Sequence, residues 1–211
     1  MKKLNIFVFV LSICALFAFP QIASAQWPSD LDGGGGGQQV QQPRQTVNTP
    51  KPRTKSPKKA VQSGMIPKSI SGINFQFPAS WLVNDEATQA PIIFLSYLPS
   101  ADNSFNDNIL ICSETLQQQM TCQEYFDLSL QQLQTSIPNF QLINKGKVTI
   151  DGYEGKAILY TQNGSGPTIK QQQLYIVVGY HAYVITISSL PNRFEKSVKD
   201  AYKLINTITF D

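Results

Sequence analysis

Two stretches of the chain repeat their apolar residues at helical spacing. Phe126, Leu130, Leu133 and Ile137 recur at i, i+4, i+7 and i+11, which is one face of a helix. Thr121-Cys122-Gln123-Glu124 stands before them in the form of a capping box, and Pro138 ends the pattern. The second stretch opens at Asn192, has Glu195 three residues on, and aligns Phe194, Val198, Ala201 and Ile205. Most of the remaining apolar segments are short and predict strands over residues 73–77, 91–98, 108–114, 147–150, 156–161, 174–178 and 183–187. Asp151-Gly152 reads as a turn, and Asn163-Gly164-Ser165-Gly166 as a hairpin. Short connections imply an antiparallel sheet, but residues 174–178 and 183–187 are apolar on both faces, so both sides must be covered. The two amphipathic helices are the available covers. The predicted fold is α/β (α+β): an α/β/α sandwich with a central antiparallel sheet and one helix on each face. No internal repeat interrupts it.

The first 68 residues follow another logic. Lys2 and Lys3, an apolar run over residues 6–19, and Ala23-Ser24-Ala25 before Gln26 form a secretory leader cleaved between Ala25 and Gln26. The run is short for a membrane span, and Pro20 breaks it; an uncleaved anchor over residues 6–25 is the alternative. Cys14 follows the bulky Ile13 and lies inside the apolar run, so it does not read as a lipidation site. Residues 26–68 lack apolar periodicity. They hold five consecutive glycines, Gly33 to Gly37, then glutamines, then Pro43, Pro50, Pro52 and Pro57 among basic residues. Such a segment buries too little apolar surface to offset the entropy of ordering it. It serves as a solvated spacer or as a weak basic contact to an anionic surface. The domain organisation is thus 1–25 leader, 26–68 linker and 69–211 folded domain.

Charge sharpens this division. The net +3 of the 211 residues combines a positive leader, a net +5 linker and a net −4 domain. A domain poor in clustered Lys and Arg is not a nucleic-acid-binding core. One histidine in the chain excludes multi-histidine metal sites. An exported chain keeping Cys112 and Cys122 favours a disulfide between them, with two unpaired thiols as the alternative.

Candidate chemistry is sparse. His181 is the one conventional general base, and a nucleophile would have to come from nearby serines such as Ser188 or Ser189; no G-x-S-x-G elbow is present. Asp102, Asn106, Asp107 and Asn108 collect oxygen ligands of the kind Ca²⁺ takes, yet lack the spacing of a calcium loop and serve equally as turn formers. Trp81 and Tyr125 read as core or rim aromatics. Asn163-Gly164-Ser165 matches a glycosylation sequon and, more simply, a tight turn. No catalytic, cofactor or metal residue is assigned.

Gly72-Ile73-Asn74-Phe75-Gln76-Phe77-Pro78-Ala79-Ser80-Trp81 resembles the opening of the PsbP/Mog superfamily. Ser104-Phe105-Asn106-Asp107-Asn108-Ile109 and Gly179-Tyr180-His181-Ala182-Tyr183-Val184-Ile185-Thr186 are similar to two further segments of it. The resemblance spans nearly all of residues 69–211. It implies a shared fold without one shared activity, and mostly non-enzymatic binding or assembly roles. The expected function is an exported, non-enzymatic binding or assembly factor without a cofactor, meeting a protein partner in the envelope or lumen. In a photosynthetic source this becomes a photosystem II accessory role. The alternatives are an envelope hydrolase using His181 and a wall-associated or membrane-surface structural protein using the linker.

Overall fold

The computed structural model describes residues 62–83, 92–98, 105–164 and 166–211. The leader with Ala25 and Gln26, most of the linker and Asp102 lie outside the described residues.

Helix α1 is Cys122–Ser136 and helix α2 is Phe194–Ile205. At α1 the Glu124 N–H donates to Thr121 Oγ1 at 3.2 Å, and the Thr121 N–H donates to the Glu124 carboxylate at 2.8 Å. That is the reciprocal bonding expected of a capping box. Those bonds from Thr121 hold the Glu124 carboxyl below its ordinary value. Ile137, before Pro138, turns extended with ψ of 120° and closes the helix, because the proline ring disfavours helical backbone in the preceding residue.

The start of α2 departs from expectation. Its cap residue is Arg193, not Asn192, and no side chain caps it. Glu195 reaches instead to Lys170, at 3.3 Å. The Arg193 guanidinium donates to Asp107 Oδ1 at 3.0 Å and to the Phe105 carbonyl at 2.6 Å, so tertiary contacts set this end of the helix.

The described strands are β1 Met65–Ile70, β2 Ile73–Pro78, β3 Leu82–Val83, β4 Ile92–Leu98, β5 Asp107–Thr115, β6 Gln141–Ile150, β7 Tyr153–Gln162, β8 Ile169–Val178, β9 His181–Ser189 and β10 Thr209–Phe210. Seven form an antiparallel sheet in the order β3-β4-β5-β9-β8-β7-β6, and three form a small sheet in the order β1-β2-β10. Asp151 and Gly152 both take positive φ, 50° and 75°, the geometry a two-residue hairpin turn needs. β1 begins at Met65, so residues 65–68, placed in the linker by composition, belong to the fold.

Alternation sends side chains to two faces of the large sheet. On one face Ile109, Ile111, Leu174, Ile176, Tyr183, Ile185 and Ile187 pack with Ala201, Leu204 and Ile205 of α2 and with Phe75 and Phe77 of β2. On the other, Leu110, Cys112, Ile158, Tyr160, Tyr175 and Val184 pack with Tyr125, Phe126, Leu130 and Leu133 of α1. Each helix therefore covers one face, as expected. The small sheet is an addition, and its strand β2 is buried on both sides. Its polar residues are matched, Asn74 donating to Asp211 at 2.8 Å and the Gln76 N–H to Thr207 Oγ1 at 2.7 Å.

Candidate functional site

The residues singled out for chemistry do not converge. His181 opens β9 and Ser188 lies seven positions along the same strand, about 23 Å away at the rise of a strand. They cannot act as base and nucleophile together. Ser189 is buried, its Oγ lying 3.1 Å from the Ser197 hydroxyl oxygen. Asp107 has Arg193 on Oδ1 and the Ser197 hydroxyl on Oδ2 at 2.5 Å. Asn108 donates to the Asn106 carbonyl at 3.0 Å. Asp107 is thereby tied to the start of α2, with its oxygens facing protein donors. Trp81 and Tyr125 are both core residues. The Tyr125 hydroxyl donates to Glu114 at 3.0 Å; burial pushes the Glu114 carboxyl up, and that bond partly opposes it. Asn163 is exposed in the β7–β8 connection, where its carbonyl accepts from Asn139 at 3.0 Å.

The expected Cys112–Cys122 bond is not made. Cys122 is a free, half-buried thiol, and its Sγ donates to the Tyr175 carbonyl at 3.2 Å. In register, Cys112 of β5 faces Val184 of β9, and Val184 faces Tyr175 of β8. Cys122 thus sits over a strand whose axis is about 9–10 Å from that of Cys112, farther than the Cα separation of up to about 7 Å that a disulfide spans. Burial raises the Cys122 pKa, so the thiol is held in its less nucleophilic form.

Two features were not visible in the sequence. The first is a buried polar floor on the α1 face. Tyr160, Gln171, Ser188 and Asn108 form one row across four strands, with Gln173 and Thr186 in the next row. Gln162 donates to Gln171 at 2.6 Å, and Gln171 to Ser188 at 2.8 Å. Around them the Tyr160 hydroxyl, Gln173 Nε2, Thr186 Oγ1 and Asn108 Oδ1 are buried without a hydrogen-bond partner. Burial keeps the Tyr160 phenol protonated far above its ordinary range, so this floor is neutral.

The second feature is exposed. Among the described residues β6 ends the seven-strand order and pairs only with β7, and it is exposed over most of its ten residues. Leu142 and Ile143 are among the exposed large apolar residues of the described chain, at the point where the β6–β7 register shifts. An edge strand presents a row of unpaired backbone donors and acceptors, and is a template for strand addition. The opposite edge, β3, has only two residues and offers little. Among the described residues no helix is long and apolar enough to cross a membrane.

A seven-stranded antiparallel sheet with a helix on each face and a small second sheet is the PsbP/Mog-like α+β architecture. The cyanobacterial PsbP of Synechocystis aligns with TM-score 0.52 at 11% identity, over 74% of this chain and 98% of that one. LpqN, described as involved in cell envelope biogenesis of Mycobacterium tuberculosis, aligns with TM-score 0.52 at 16% identity, over 70% and 91%. The Saccharomyces cerevisiae Ran-binding protein Mog1p aligns with TM-score 0.48 at 13% identity, over 68% and 95%. The DcrB family model matches residues 93–207, more than half of the chain, and the chain belongs to the DcrB family. Comparison with curated proteins gives no match.

Proposed function

We propose that this protein is an exported, non-enzymatic binding or assembly factor that meets a protein partner along the outer edge of β6. The single observation that carries this is the ten-residue edge strand, exposed along most of its length and bearing Leu142 and Ile143. The secretory pattern of residues 1–25 supports export, as does the envelope role stated for LpqN. The separation of about 23 Å between His181 and Ser188, seven residues apart on one strand, counts against the hydrolase alternative. A place beside a photosystem is not part of this proposal, since the likeness to the cyanobacterial PsbP is one of fold.

A photo-cross-linking residue at Ile143, in the full-length chain expressed in its own cells, tests the reading. The expected result is a discrete adduct from position 143 and none from the control position Lys199, an exposed residue of α2. Equal or absent cross-linking at both positions overturns it, as does a hydrolase activity that His181→Ala abolishes.

A further inference from the structure

The β6 edge also carries information about its partner's chemistry. Lys147 of β6 stands directly opposite Lys156 of β7, and Lys145 stands opposite Ile158. All three lysines lie on the α1 side of the sheet, the side to which Ile158 and Tyr160 point. Lys145 and Lys147 are exposed and Lys156 is half-buried. Among the described residues none of the three has an ion-pair partner. Directly opposed residues in an antiparallel pair hold their Cβ atoms about 5 Å apart, and like charges there repel. Glu154, opposite Thr149, is the acidic residue of β7 on this side. The acids of α1 are otherwise engaged, Glu124 by Thr121 and Asp127 by Gln123 at 2.8 Å. The edge is therefore a row of outward backbone groups flanked by a net positive charge, three lysines against the one carboxylate of Glu154. A second copy fits it poorly, because antiparallel self-pairing centred on Gly146 sets Lys145 against Lys147.

Resting on the reading of β6 as the binding edge, we infer that its occupant is an extended acidic segment of a partner protein. The segment adds as a further strand, its carboxylates at alternate positions facing Lys145, Lys147 and Lys156. Leu142, on the same side as Lys145 across the register shift, gives such a segment an apolar contact at one end.

The test uses the full chain and a labelled ten-residue peptide alternating Thr and Glu. Its controls are a Thr/Lys peptide, a Thr/Glu peptide N-methylated at alternate amides, and vesicles of phosphatidylglycerol. The expected result is binding of the Thr/Glu peptide alone, slowed amide exchange across residues 141–150, and a loss of about tenfold or more in affinity in K145E/K147E, whose substitutions are on the surface. Unchanged affinity in K145E/K147E overturns the inference, as does equal binding of the N-methylated peptide. Binding to vesicles without binding to the peptide does so too. Retained cross-linking from position 143 alongside failed peptide binding removes the acidic-strand inference alone; loss of both removes the functional reading as well.

Discussion

β9 and β6 belong to one sheet and differ by one residue in length, yet they have opposite fates. Every residue of β9 after His181 is buried, Thr186, Ser188 and Ser189 included. In β6 only Ile150 is fully buried, although Leu142, Ile143 and Val148 are as apolar as their counterparts in β9. Residue type does not explain the contrast. β9 has β5 and β8 on its flanks and a helix over each face, whereas β6 has one neighbour among the described strands. Position in the strand order decides what is hidden, so polar side chains are locked inside while apolar ones remain available for contact.

The contrast can be broken most severely at the centre. Ile185→Ala on β9 removes a side chain that is 0% exposed and should cost about 3–5 kcal/mol through lost transfer energy and the cavity left behind, read from urea unfolding. Gly155→Ala comes next. A Cβ there would meet the Tyr175 carbonyl oxygen at 2.5 Å and Ile176 Cδ1 at 2.3 Å. Backbone cannot yield cheaply, so a loss of about 1–3 kcal/mol is expected, because this close approach seats β7 beneath Ile176. Thr186→Val should leave stability unchanged or raise it by about 1 kcal/mol, since its hydroxyl is buried without a partner; a clear loss would mean the hydroxyl is bonded after all.

Smaller effects sharpen the comparison. Burial raises the Glu114 carboxyl pKa, so the folded state favours its protonated form. That contribution is full below the unfolded value near 4.5 and is lost as pH rises through the raised folded value. Glu114→Gln, which keeps an acceptor for Tyr125, should therefore raise Tm slightly at pH 7 and not below pH 4.5, as a calorimetric pH series would show. Ile143→Thr on β6 should shift stability by no more than about 0.5 kcal/mol while weakening any partner's hold. If it instead unfolds the chain, β6 is not a free edge.

Much of this architecture was legible in the residues. The Thr121–Glu124 box, the two amphipathic faces and the Asp151-Gly152 turn are local chemistry, and local chemistry survived folding. The doubly apolar runs in β8 and β9 correctly demanded a helix on each side. The failures share one cause, dependence on which segments become neighbours. Cys112 and Cys122 are close in sequence, but α1 sets Cys122 over β8, two strands from Cys112. The first half of β6 shows no alternation because neither of its faces is buried, so period 2 had nothing to act on. The polar residues of β2, Asn74 and Gln76, find their partners in Asp211 and Thr207, more than 130 residues later. The buried polar floor draws residues from four strands that no local pattern links.

Lys145 and Lys147 also govern how many copies behave when confined together. In dilute buffer, two such borders meeting each other would press ammonium groups together, which opposes pairing through this strand. Raising ionic strength to the physiological range shortens the reach of that repulsion to about 8 Å, easing self-association while loosening the grip on an anionic strand. The border proposed to take a foreign segment is thus one on which like charge would oppose the pairing of identical molecules.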